Sequence, residues 1–157
     1  MKAKNSLIHD TFTLERRYAS CPAKVYGYFS EPDLRKRWFG ATEDWSQRSH
    51  SLDFRVGGQE LEQGAPPGGP LITYESRILD IVPSERIINS YVLAAAGERF
   101  SVSLSTVEFL PDGTGTLLRL TEHGAYFDGN PEAPQMRVHG IGEQLDLLGR
   151  VLQKHEI

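Results

Sequence analysis

The sequence holds one cysteine, Cys21, in 157 residues. A lone thiol excludes an intramolecular disulfide framework and any zinc site built from several cysteines. Long apolar runs are missing as well: no stretch approaches the roughly 20 residues that a membrane-spanning helix needs. Met1-Lys2-Ala3-Lys4-Asn5 is basic, but no apolar segment follows it, so it does not read as a secretory leader. Nor is there an excess of positive charge. The 17 Lys and Arg against 21 Asp and Glu leave a formal net charge of -4, which excludes nucleic-acid binding through a general basic field. His9, His50, His123, His139 and His155 show no metal-ligand spacing, and P-loop, dinucleotide and nucleophile-elbow fingerprints are absent. These absences predict a cytoplasmic protein with no metal, no cofactor, no nucleic-acid partner and no membrane span.

What is present is one domain, residues 1–157, with a core from about 10 to 153. A chain of this size buries enough apolar surface to fold without staples. Thr11 to Tyr18 alternates as a strand, with Phe12, Leu14 and Tyr18 among polar partners. Ser20-Cys21-Pro22 is a helix-start signal, and Val25, Tyr26 and Phe29 form a short apolar stripe behind it. Glu31-Pro32 interrupts that helix, and a second short one is predicted from Asp33 to Trp38, ended by Gly40. Period two then takes over. Strands are expected at Ser51–Val56, Gln59–Gln63, Leu71–Val82, Arg86–Ala95, Glu98–Leu110 and Thr116–His123, joined by short turns as in an antiparallel meander. Gly124 to Pro134 reads as a loop. The chain finishes on a helix from about Glu132 or Pro134 to Gln153, with Val138, Ile141, Leu145, Leu148 and Leu152 on one face. The fold class is therefore α+β: a curved antiparallel sheet of six to seven strands packed on a long C-terminal helix, with two short helices after the first strand.

Gly140, Gly142 and Gly149 interrupt the last helix, where each costs up to about 1 kcal/mol relative to alanine. They either leave room for a cavity between helix and sheet or allow close packing. Trp38, Phe39 and Trp45 form a dense aromatic set, readable as the wall of a ligand mouth or, for Trp38, as core. Tyr74 and Tyr91 lie on adjacent strands and bring phenol groups to one face. Glu122 shares the face of Leu118 and Leu120, whereas His123 shares that of Leu117, Arg119 and Thr121. The more apolar face thus carries Glu122 inward as a candidate acid–base group, the alternative being a solvated rim carboxylate beside Gly124. Ser101, Ser103 and Ser105 are read as a solvent face opposite Phe100, Val102 and Leu104. Arg35-Lys36-Arg37 is a solvated basic face or a dock for an acidic group.

The order of these elements resembles the helix-grip fold of the START and Bet v 1-like superfamily. The branch it is most similar to contains the C-terminal domain of the activator of the Hsp90 ATPase. The resemblance is carried by Glu15-Arg16-Arg17-Tyr18-Ala19-Ser20-Cys21-Pro22, Val25-Tyr26, Arg37-Trp38-Phe39-Gly40 and Asp53-Phe54-Arg55-Val56-Gly57-Gly58. Asp80 to Ile87, Gly140-Ile141, Leu145-Asp146 and Leu148 extend it to the C-terminal helix. Two departures stand out: Ile141 replaces the family's tryptophan after Gly140, enlarging and drying any cavity beneath it, and Tyr91 stands where a tryptophan is common.

The resemblance implies a stand-alone protein that binds a hydrophobic small molecule. Trp38, Phe39, Trp45, Phe54, Tyr74, Tyr91, Glu122, Ile141 and Leu145 are its expected cavity residues, and no residue is assigned a catalytic role. A cyclase-, aromatase- or hydrolase-like enzyme using the same cavity is the second reading. A chaperone-accessory role ranks last, because the eukaryotic activators carry an additional N-terminal domain not found in these residues. A homodimer is the expectation for a small domain with exposed sheet edges.

Overall fold

A computed structural model describes residues 6–40 and 42–154; Met1 to Asn5 and His155 lie outside the described residues. The chain runs β1 (Ile8–Tyr18), α1 (Pro22–Ser30), α2 (Pro32–Arg35), β2 (Ser46–Leu52), β3 (Gln59–Ala65), β4 (Ile72–Val82), β5 (Arg86–Ala95), β6 (Glu98–Asp112), β7 (Gly115–Tyr126) and α3 (Ala133–Lys154). All strand pairs are antiparallel, in the order β1-β7-β6-β5-β4-β3-β2. The meander expected from the turns covers β2 to β7, and β1 closes the sheet beside β7. Register shifts in the β2–β3, β4–β5 and β5–β6 pairs mark bulges, which bend strands and help curve the sheet.

β1 starts earlier than expected, at Ile8, and β3 and β6 run on to Ala65 and Asp112, while three further differences shape the chain around the core. The second short helix ends at Arg35 rather than Trp38, and the chain leaves it through turns to Gly40, whose φ of +90° suits glycine. The strand expected at Ser51–Val56 instead occupies Ser46–Leu52. Residues 53–58 form a turn closed by Gly58 N donating to Arg55 O at 2.8 Å, which leaves Val56 57% exposed at its tip. A side chain at Gly58 would collide with the Asp53 carbonyl, so this turn requires glycine. β7 continues to Tyr126, so Gly124 and Ala125 belong to the sheet and the loop starts later.

Helix α3 lies on β1 and β7, and α1 lies on β6 and β7. The main core forms there, with Val25, Phe29, Trp38, Phe109, Leu118 and Leu148 all buried. Two of the three α3 glycines, Gly142 and Gly149, serve close packing, whereas Gly140 has open space and borders the cleft. An added Cβ at Gly149 would stand 3.3 Å from the Tyr18 ring, and one at Gly142 would stand 3.2 Å from Arg16 Nη2. Tyr18 Oη, in turn, donates to the Leu145 carbonyl at 2.7 Å and fixes helix to strand. Because α3 docks at the β1–β7 side, the inner faces of β3 to β5 are left facing a cleft.

Candidate functional site

The cleft has a volume of about 1410 Å³ and is walled by α2, the turn after it, the inner faces of β2 to β7, and α3. All nine cavity residues expected from the sequence border it. Trp38 belongs to the core at the same time: it is buried, and its indole N–H donates to the Tyr28 carbonyl at 2.8 Å. Trp45 and Phe54 are half-buried, with Phe54 edge-on to Tyr26 at 5.8 Å. Ile141 is half-buried and Leu145 fully buried on the inner face of α3.

Phe39, Tyr74 and Tyr91 form a ladder along the wall, with ring centroids 4.9 Å and 4.8 Å apart. Strand register explains the second step. Ser76 lies opposite Tyr91 and Leu93 opposite Tyr74, so the two phenols are diagonal neighbours on one face. Asn89 donates to Tyr74 Oη at 3.1 Å and to Ser76 Oγ at 2.8 Å, satisfying polar groups on that wall.

A buried polar cluster stands at each end of the ladder. At the Tyr91 end, Glu122 is 1% exposed and accepts from Tyr91 Oη at 2.9 Å on each oxygen. The rim alternative for Glu122 is thereby excluded. Arg137 of α3 comes within 3.6 Å of Glu122 Oε2. Its Nη1 donates to Tyr91 Oη at 3.0 Å and Ser103 Oγ at 3.2 Å, and its Nη2 to Ser101 Oγ at 2.7 Å. Burial raises the Glu122 carboxyl above its ordinary value, and the pull of Arg137 and the Tyr91 hydrogen bond does not cancel it. Burial, reinforced by the Glu122 charge, also pushes the Tyr91 phenol well above its ordinary value. Tyr126 packs against this cluster under the Arg137 guanidinium, 5.1 Å from ring centre to Cζ. Among the described residues, its hydroxyl is the buried side-chain polar atom without a hydrogen-bond partner.

The second cluster is built on Arg35, at the Phe39 end. Its Nε and Nη2 donate to the two oxygens of Glu60, each at 2.9 Å, and its guanidinium lies 3.6 Å over the Phe39 ring. His50 Nε2 pairs with Glu60 Oε2 at 2.8 Å. Burial alone would raise the Glu60 carboxyl, but Arg35 and His50 outweigh it and hold it at about 2. Tyr74, between the clusters, has its phenol raised by burial and then by the charge of Glu60.

Two sequence expectations are corrected here. Arg35 is buried in an ion pair, while Lys36 and Arg37 are exposed, so the basic run is not one solvated face. Ser101, Ser103 and Ser105 are buried, whereas Val102 and Leu104 are 44% and 42% exposed: the serines face the interior. The signal lay further along β6, where Val107 and Phe109 share the serines' parity and are buried. Glu60 and Glu62 repeat the inversion on β3, both buried around a 39% exposed Leu61. Arg137 could have been found from helical spacing, since it precedes Ile141 and Leu145 by four and eight residues.

Among the described residues, no group of three or more His, Cys, Asp or Glu side chains is placed to hold a metal, and no helix is long and apolar enough to cross a membrane. The model of the Activator of Hsp90 ATPase homolog 1-like protein family matches residues 19–153. A solved protein of Rhizobium leguminosarum is 33% identical with a TM-score of 0.90, the match covering 96% of this chain and 99% of that one. A protein of Rhizobium loti is 40% identical with a TM-score of 0.83, covering 92% of this chain and 98% of that one. No curated protein matches the chain.

Proposed function

Starting from a chain that belongs to the Activator of Hsp90 ATPase homolog 1-like family, we propose that it is a small-molecule-binding protein whose hydrophobic ligand occupies the cleft between sheet and C-terminal helix. The observation that carries this reading is the cleft itself. Its volume of about 1410 Å³ exceeds the roughly 300–1,000 Å³ of ordinary ligand sites. Its wall combines an aromatic ladder with a few convergent polar groups, the composition such sites use to hold and orient an apolar molecule.

The test is thermal unfolding of the whole chain against fatty acids, flavonoids, polyketides and sterols. A ligand at 100 times its dissociation constant adds about 2.7 kcal/mol, a rise of about 5–10 °C for a chain of this length. A response confined to one chemical class is expected. A silent panel at saturating concentration refutes the reading.

A second reading, acid–base catalysis in the same cleft, is favoured by one observation. Tyr91 and Glu122 are hydrogen-bonded to each other, and burial raises both above their ordinary values. Incubating any ligand found above with the protein and following its mass separates the two. Unchanged ligand over many equivalents supports binding alone, and a converted one supports the enzyme.

A further inference from the structure

The two clusters carry a charge pattern that restricts the ligand. At the inner end, Arg137 already faces Glu122 at 3.6 Å. At the other, Arg35 faces both Glu60 and Glu62. Neither buried cluster therefore offers an arginine whose charge is unmatched, and the other cations bordering the cleft, Lys36, Arg37, Arg48, Arg150 and Lys154, are exposed. A carboxylate entering beside Arg137 would share one guanidinium with Glu122, in surroundings where Glu122 is 1% exposed and repulsion is poorly screened. Hydrogen-bond donors, by contrast, are in surplus. Among the described residues, three of Arg137's five N–H groups go to Tyr91, Ser103 and Ser101, which leaves two. Arg137 borders the cleft, so these donors belong to its wall. The phenols beside the clusters, Tyr91 and Tyr74, bring no charge at neutral pH, and Asp128, which also borders the cleft, is an acid rather than a cation.

We infer that the inner end of the cleft takes an uncharged oxygen acceptor, such as a ketone, ester or amide carbonyl, and discriminates against carboxylates. This rests on the binding reading above and deepens it. Glu122 acts in the recognition of ligand charge: by balancing Arg137 it leaves the guanidinium as a hydrogen-bond donor without net attraction for an acid.

Matched probes test it. The pairs are 2-acetylnaphthalene with 2-naphthoate and 1-acetylpyrene with pyrene-1-carboxylate, titrated at pH 7.5 into the intact chain and into Glu122→Gln. The wild-type chain is expected to bind each ketone at least about tenfold more tightly than its acid. In Glu122→Gln the Arg137 charge is unmatched, and the ratio is expected to move about tenfold or more towards the acid. The wild-type arm needs no variant and stands if Glu122→Gln does not fold. Equal affinity for ketone and acid, tighter binding of the acid, or an unmoved ratio in a folded variant overturns the inference and leaves the cleft as a binding site. Binding of no probe up to about 1 mM overturns the inference and the binding reading together.

Discussion

Replacing Glu60 by glutamine keeps the shape of the side chain and removes its charge. In the native chain both carboxylate oxygens are taken by Arg35 at 2.9 Å, one of them also by His50 at 2.8 Å, and the side chain is 5% exposed. A carboxyl held at about 2 instead of 4.5 contributes about 3 kcal/mol once ionised. The sign follows from the direction: the contribution is complete above the unfolded value of 4.5 and is lost as pH falls from there towards 2. At pH 7 the variant is expected to lose about 3 kcal/mol, a fall in Tm of about 6–12 °C for this chain length. The gap between wild type and variant should narrow steadily below pH 4.5. Replacing both partners, as Arg35→Met with Glu60→Leu, should cost less than Glu60→Gln, because no buried guanidinium is left without its carboxylate. Circular dichroism melts from pH 7 down to pH 3 measure all of this. A Tm change under about 2 °C at pH 7, or a gap that stays constant with acidification, refutes the reasoning.

Gly140 has nothing within 4 Å of an added Cβ and lies inside α3, so Gly140→Ala should raise stability by up to about 1 kcal/mol, read as a Tm increase of about 2–4 °C. Val102 and Leu104 point outward from β6, so Val102→Ser with Leu104→Thr should change stability by no more than about 0.5 kcal/mol per site in urea melts; a larger loss would mean that this face is covered. Ser101→Ala with Ser103→Ala frees Arg137 from two of its acceptors, and the titration midpoint of the Glu122 carboxyl, followed by carbon NMR, should fall. An unchanged or higher midpoint would show that the serines do not hold Arg137 away.

Much of the fold was legible because α3 and most strands follow the rule that apolar periodicity marks the buried face. The stripe of Ile141, Leu145, Leu148 and Leu152 placed the helix, and Leu118 and Leu120 placed Glu122 inward. The rule failed where the buried face is not a core. On β6 the serines, and on β3 the glutamates, face a cleft and its ionic clusters, so the polar residues go in and Val102, Leu104 and Leu61 go out. Only the parity of Val107 and Phe109, the tenth and twelfth residues of a 15-residue strand, betrays the inversion. The pairing of Arg35 with Glu60 joins a four-residue helix to a strand 25 positions away, and no local pattern encodes that contact.

Glu60 and Glu122 are both buried beside an arginine, yet their carboxyls move in opposite directions. Burial pushes both up, so the difference lies in what each arginine delivers. Arg35 presents two parallel N–H donors to Glu60 at 2.9 Å, the fork geometry in which a guanidinium stabilises a carboxylate most. Arg137 has the same donors but commits them to Ser101, Ser103 and Tyr91, and comes no nearer to Glu122 than 3.6 Å. The tyrosine then supplies Glu122 with a neutral donor in place of a charged one. One pair is therefore closed as an ion pair: both Glu60 oxygens are taken by the guanidinium, which fastens α2 to the sheet. The other is open, with an under-compensated carboxylate and guanidinium N–H groups still to be used. Both face the same cleft and stand on the same ladder of rings, so the serines that sequence periodicity assigned to solvent account for how differently the two arginines act on their carboxylates.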